Sequence, residues 1–236
     1  MKINKTVKKQ VKELWIWPPG ASGNFVMTHH YGSGEAKPNN EWQVKGPVKW
    51  IPMFFNKIHA YHHLKIAHTI RQEVYEENLN KLIKSPEANL SWHWVPIYLK
   101  DYLDIDTIHY IIPKPDVQWF VSLLTLVKNR STNTYDRFVQ DLLDNTDLEM
   151  LQKEYKQRIE EINSFKTKQT NIIDYKTLFF DYDKETMARY KLTRSIVEQY
   201  TNDNIKLITT FLEDNLSKDK QEYFINKLNT LPCQKH

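Results

Sequence analysis

The chain has five glycines with which to build tight loops, and none of them follows Gly46. Two, Gly20 and Gly23, fall in "WIWPPGASGNF", residues 15–25, where a β-prone aromatic stretch runs through two prolines into a short loop of small residues. "ELWIW", residues 13–17, reads as a short buried strand, and a helix is predicted to start near Asn24. Strand, loop and helix in that order form a place where a phosphate is held, because small residues let an anion reach backbone N–H groups and the helix N-terminus adds its positive end. The loop departs from G-x-x-x-x-G-K-[ST], since no lysine follows Gly23 and Asn24 stands where that pattern is basic. Taken alone, it reads equally as a phosphate cradle and as a structural strand-to-helix turn.

At 236 residues, 40% hydrophobic and 26% charged, the chain fits one substantial domain and is neither disordered nor membrane-embedded. No stretch approaches the roughly 18 apolar residues of a membrane span, and the N-terminus lacks the apolar core of a signal peptide, so a cytoplasmic location is expected. The single cysteine, Cys233, offers no internal disulfide and fits a reducing compartment. A net charge of +4 is mild, so no nucleic-acid partner is expected, and residues 1–12 read as a solvated basic lead-in.

Beyond the loop, residues 32–53 are rich in Gly, Pro, Asn and tryptophan and read as an irregular segment. Residues 54–84 carry apolar positions at helical spacing. "NLSWHW" is predicted as a strand, "PIYLKDYL" as a short helix opened by Pro96, and "TIHYIIP" as a second strand. Asp116 is placed to cap a helix over "VQWFVSLLTLVKNR", and residues 135–166 read as an amphipathic helix or helix pair with Phe138, Leu142 and Leu143 on its stripe. A last strand, "NIIDYKTLFF", precedes helices over 184–200 and 202–214, then a weak helix and tail over 215–236. Strands alternating with helices imply a mainly parallel sheet covered on both faces, with ligands at the carboxyl ends of strands. The loop after Trp17, His93 and Lys114 all fall at such ends.

Three separated pieces resemble, in order and approximate spacing, the sulfotransferases of the P-loop fold. "PPGASGNF" is similar to that family's 5′-phosphosulfate loop, P-K-S-G-T-T-W, with Ser22 and Gly23 at the S-G positions. "SWHWVP" resembles the T-H-x-P segment of the general base and points to His93. "TIHYIIPKPDVQWFVS" resembles the strand and helix whose arginine and serine hold the donor's 3′-phosphate, and Lys114 and Ser122 reproduce that interval of eight. The resemblance spans roughly residues 13–30 and 89–214, including "NIIDYKTLFFDYD" and "YTNDNIKLITTFL" as the late strand and closing helix. Departures are equally specific: Ala21 occupies the loop-lysine position, "HWVP" is one residue longer than T-H-x-P, "PKPD" shifts the proline, and no late R-K-G segment exists.

The resemblance implies a three-layer α/β fold, P-loop NTPase-like, and transfer of a sulfuryl group from 3′-phosphoadenosine 5′-phosphosulfate to a hydroxyl of a glycan or small molecule. In that reading the N–H groups of Gly20, Ala21, Ser22, Gly23, Asn24 and Phe25 surround the 5′-phosphate, Lys114 and Ser122 bind the 3′-phosphate, and His93 takes the acceptor proton. Lys37, Lys45 or Lys49 could stand in for the missing loop lysine; the tryptophans read first as core, with an acceptor wall of Trp42 and Trp50 as the alternative, and His29 and His30 read first as packed or solvated, with one of them facing the anion as the alternative. Compact divergent members of this family occur in marine bacteria and their phages, and the Lys-, Asn- and Ile-rich usage fits an AT-rich genome. Two other classes stay open: a non-catalytic binding or assembly module that keeps the fold, and a nucleotide-dependent kinase of the same broad fold. His59 and His63 share a helix face at zinc-binding spacing, yet with His62 and His68 and no H-E-x-x-H glutamate they read as a histidine-rich surface rather than a metal site.

Overall fold

A computed structural model describes residues 8–37, 40–45, 48–50, 79–86, 88–93, 95, 97–129 and 147–231. His59, His62, His63, His68, Trp94, Pro96, Phe138, Leu142, Leu143 and Cys233 lie outside these residues, as do most of the predicted helix over 54–84 and the side chains of Lys49 and Trp50. Of that helix, residues 79–84 are described and helical, with Leu79 and Leu82 buried.

The chain is α/β. Strands β1 (Lys9–Ile16), β4 (Val48–Trp50), β5 (Asn89–Trp92), β6 (Leu103–Ile112) and β7 (Thr167–Asp174) form one sheet in the order β4-β5-β1-β6-β7. β1 runs parallel to both neighbours, with Ile16 opposite Trp92 on one side and Tyr110 on the other, and β4 runs parallel to β5. β7 advances along β6 in the same sense, Thr167 bonding Asp106 and Asn171 bonding His109. β1 and β6 alternate between buried and exposed at their starts and become continuously buried at their ends, as strands of a parallel sheet with both faces covered must. β5 is buried throughout, including Asn89 and Ser91.

Contacts resolve two compact units, each assembled from three separated segments. One unit, Met1–Trp17, Pro47–Tyr110 and Lys156–Ile172, carries the sheet. Its core includes Leu14, Trp15, Ile16, Leu90 and Ile108, none more than 1% exposed. Trp15 stacks on the buried ring of His109, centroids 4.1 Å apart. Lys9, also buried, donates from Nζ to the carbonyl of Ser85 at 2.7 Å.

The other unit, Pro18–Gly46, Ile111–Tyr155 and Ile173–His236, is largely helical. It holds α1 (Gly23–Tyr31), the hairpin of β2 (Gly34–Lys37) and β3 (Glu41–Val44), and α2 (Gln118–Asn129). After α3 (Leu148–Asn163), which crosses the unit boundary, come α4 (Tyr175–Phe179), α5 (Lys184–Arg189), α6 (Arg194–Asn215) and α7 (Lys218–Asn229). α6 packs on α2, α4 and α7, and α1 packs on the hairpin. Phe25 of α1 stacks face to face with Tyr200 of α6, centroids 3.9 Å apart, and Phe120, Tyr175, Phe179 and Phe180 extend the aromatic core. No helix among the described residues is long and apolar enough to cross a membrane.

Several expectations are corrected. The described residues of the segment over 32–53 are largely regular: they hold the β2–β3 hairpin and β4. β2 is exposed at every position, so "GEAK" lacks the apolar alternation by which a strand is recognised. The strand over "NIIDYKTLFF" ends at Asp174, whose carboxylate accepts from the Lys176 N–H and the Thr177 hydroxyl and so starts α4. The helix over 184–200 breaks at Tyr190–Thr193, where Lys191 takes a left-handed φ of 57° and Thr193 caps α6 through the Ile196 N–H. The expected gap near residue 201 is absent because Thr201 is buried and its hydroxyl bonds the carbonyls of Val197 and Phe179. "PIYLKDYL" gives only a 3-10 turn, Ile97–Leu99. Asp116 does not stand at the N-cap of α2; Val117 directly precedes the helix, and the Asp116 carboxylate accepts from Lys176 at 2.9 Å.

Candidate functional site

The loop after β1 begins as a turn. The Ala21 N–H donates to the Pro18 carbonyl at 3.0 Å, with Pro19 and a left-handed Gly20, φ 79°, at the central positions, which is the pattern of a type II turn. The bare Cα of Gly20 lies against α2: a Cβ there would sit 2.3 Å from Thr125 Oγ1 and 2.4 Å from the Val121 carbonyl oxygen. The Thr125 hydroxyl donates to the Pro19 carbonyl at 2.7 Å. Gly20 is therefore required for packing of the loop on a helix.

Ser22 follows with φ 63°, ψ 23°, a left-handed conformation uncommon for a non-glycine residue. It occupies the N-cap of α1 without capping the helix through its side chain, and its hydroxyl reaches the Gly20 carbonyl at 3.4 Å. Its carbonyl accepts from the Val26 N–H, so the N–H groups of Gly23, Asn24 and Phe25 stand in the uncapped first turn. Ala21, Ser22 and Gly23 are buried and Asn24 half-buried. No acidic side chain lies in this first turn, so no carboxylate there opposes the positive helix end.

Ser122 is half-buried on α2, the helix that Gly20 touches, and Gln118 Nε2 approaches its hydroxyl at 3.5 Å. Lys114 lies two residues beyond β6, where its carbonyl accepts from the Val117 N–H at the entry to α2. Its ammonium forms an ion pair with Asp174 at 2.6 Å, which holds the lysine above its ordinary pKa. Tyr155 lies close enough to feel both charges, and its phenol is raised chiefly by burial and further by Asp174. Asp174 thus serves three donors at once: the Lys176 N–H, the Thr177 hydroxyl and Lys114. Sequence reasoning missed Asp174, although D-Y-K-T is a legible capping pattern; Tyr155 reads only as a position on the apolar stripe of residues 135–166, and nothing in the sequence marks Thr125.

In the sheet-bearing unit, His93 directly follows β5 and is half-buried, its ring edge-on to Trp17. Its Nδ1 lies 3.3 Å from the Trp17 carbonyl, an oxygen that can only accept, so Nδ1 carries the proton and the basic lone pair of the neutral ring is on Nε2. Burial is the largest influence on His93 and lowers its pKa, keeping the imidazole neutral at pH 7. A depressed histidine contributes nothing above its ordinary value and costs stability as pH falls from that value toward the depressed one, because the unfolded chain binds the proton first. In an NMR titration the His93 ring signals are expected to move at lower pH than those of an exposed histidine. Unfolding of His93→Gln should then show a weaker loss of stability between pH 7 and 5 than wild type; equal losses would contradict the assignment. His29, lowered by the same cause, contributes to the part that remains.

The rings and charges of the other candidates lie as follows. His29 packs on Phe25 and Trp42, and His30 on Tyr31 and Tyr190, with the His30 carbonyl accepting from Lys191. Lys45 pairs with Glu35 across the hairpin, and Lys37 is exposed on β2. Trp42 packs on Phe25 and His29.

No family model, curated protein or solved structure matches this chain.

Proposed function

We propose that the chain is a sulfotransferase of the three-layer, P-loop-like kind, moving a sulfuryl group from 3′-phosphoadenosine 5′-phosphosulfate to a hydroxyl of a glycan or small molecule. The observation that carries the reading is the uncapped, acid-free first turn of α1 behind left-handed Ser22, at the carboxyl end of a central parallel strand. In the reaction the acceptor oxygen bonds to sulfur while the bond from sulfur to the bridging oxygen breaks, and that electron pair leaves with the phosphate. The first-turn N–H groups of α1 oppose the charge that develops on the leaving phosphate. The acceptor proton falls to His93 on the strength of the resemblance, and the neutral Nε2 lone pair is the protonation state a base requires. Ser122 and Lys114 supply the 3′-phosphate contacts in this reading.

A second reading, a binding or assembly module without catalysis, is favoured by one observation: Lys114 is already neutralised by Asp174. A 3′-phosphate must share or displace that carboxylate. Calorimetric titration of 3′-phosphoadenosine 5′-phosphate, with ATP as control, separates the two. Sulfotransferase chemistry requires micromolar binding that prefers the 3′-phosphorylated nucleotide, and Lys114→Ala should weaken it by about 1 kcal/mol or more, the scale of a charge-assisted contact. Asp174→Asn should tighten it by freeing the lysine. Absence of binding to either nucleotide would rule out the donor site and leave the loop as a turn.

A further inference from the structure

Away from the glycine loop, the helical unit contains a cluster whose hydrogen-bond accounts do not close. Asn40, left-handed at φ 56°, donates from Nδ2 to the Tyr200 carbonyl at 3.0 Å and to Asn204 Oδ1 at 2.9 Å. The half-buried Lys128 of α2 donates from Nζ to the Asn40 carbonyl at 3.2 Å and to the Tyr200 phenol oxygen at 3.3 Å, and lies 5.4 Å from the Tyr200 ring centroid. Its partners are all neutral acceptors, and no carboxylate among the described residues forms an ion pair with it. Two of its three N–H bonds are used.

Other buried polar atoms of the same unit also lack a partner. Asn204 is 1% exposed, and its Nδ2 has no partner while its Oδ1 is taken by Asn40. Trp42 Nε1 and His29 Nε2 are likewise buried without a partner. Both rings belong to the same aromatic group: Trp42 lies 5.3 Å from Phe25 and from His29, and Phe25 stacks on Tyr200. Indole N–H and amide NH₂ groups in such a place each cost free energy when unmet, and a native fold leaves few of them. The Lys128 ammonium, joined to Asn204 through Asn40 and with no carboxylate partner among the described residues, sets the sign of the missing partner.

We infer that the cluster of Lys128, Asn40, Asn204 and Trp42 is a binding site for a small oxyanion group of the carboxylate or sulfate type. An oxyanion supplies what the cluster lacks: several lone pairs in a small volume and a negative charge for Lys128. Phe25, Tyr200 and Trp42 give it an apolar wall that strengthens the pairing by excluding water. The site does not depend on the sulfotransferase reading, since none of these four residues belongs to the loop or to the Lys114 and Ser122 pair.

The test uses the whole chain labelled with ¹⁵N, titrated with sodium acetate and sodium sulfate at ionic strength held constant with chloride. The Trp42 indole signal, assigned by its loss in Trp42→Phe, is expected to shift saturably with one or both anions and not with chloride. Lys128→Met, which keeps the length of the stem, should weaken the anion at least tenfold while the rest of the spectrum stays in place. Asn204→Asp puts a carboxylate inside the cluster and should abolish anion binding in a chain that remains folded. Lys114→Ala should leave the Trp42 response unchanged, which separates this site from the proposed donor site. A shift that is linear and matched by chloride, or one of wild-type strength in Lys128→Met or Asn204→Asp, would overturn the proposal and leave ordered water as the partner of these donors.

Discussion

Gly20→Ala is expected to lower the stability of the chain by about 3–5 kcal/mol, combining the strain of a left-handed backbone with the clash of an overpacked contact. The new Cβ would lie 2.3 Å from Thr125 Oγ1 and 2.4 Å from the Val121 carbonyl oxygen. Thr125 can rotate away only by giving up its bond to Pro19, and the Val121 carbonyl is fixed in the helix ladder of α2. Gly32 provides the control. It is also left-handed, at φ 66°, but nothing lies within 4 Å of its absent Cβ. Gly32→Ala should therefore cost only the backbone part, about 1 kcal/mol. Urea unfolding of both variants beside wild type measures the difference; similar midpoints for the two would show that the loop does not press on α2.

The second large effect is expected at Phe25, one residue from the loop. It is 1% exposed and meets Tyr200, Trp42, His29 and Phe179 within 6.0 Å between ring centroids. Phe25→Ala should cost about 3–5 kcal/mol, the range for truncating a buried aromatic ring whose neighbours cannot collapse into the space. Those neighbours come from α1, the hairpin, α4 and α6, so the loss spreads across the helical unit. Phe25→Leu, which refills much of the volume, should recover more than half of the stability. A cost below about 1 kcal/mol for Phe25→Ala, by thermal or urea unfolding, would mean that the ring stack is not an anchor of the native state.

The parallel sheet was legible because its central strands are written in hydrophobic runs. "ELWIW" and "HYII" contain few polar residues at their carboxyl ends, and such runs fit strands covered on both faces. The loop and the start of α1 were legible for a different reason, since two glycines and two prolines mark the turn locally. The hairpin was not, because "GEAK" is exposed throughout and its partner "EWQV" buries its residues only in part. Its register comes from backbone pairing and from packing on α1, neither of which is written in a periodicity. The same holds for the candidate sites. Lys114 and Ser122 were picked out by spacing, but the carboxylate that holds Lys114 comes from Asp174, 60 residues further along the chain. The Asn40, Lys128 and Asn204 cluster joins residues up to 164 positions apart, and no local pattern signals it.

The long separations have a consequence in time. β1 is the middle strand of its sheet, and both of its partners come later in the chain: Gln10 bonds Asp104 across 94 residues, and His93 reaches the carbonyl of Trp17 across 76. At about 5–20 residues per second of synthesis, "ELWIW" waits on the order of 5–20 s after it is made before its second neighbour exists. During that interval one of the most apolar stretches of the chain has no sheet to enter and must be kept from pairing with other nascent strands. The four lysines among residues 5–12, which surround the start of β1, carry like charges at the point where such an encounter would begin. Like charge there disfavours such an encounter while the sheet is incomplete, before Lys9 and Lys12 are taken into β1 itself.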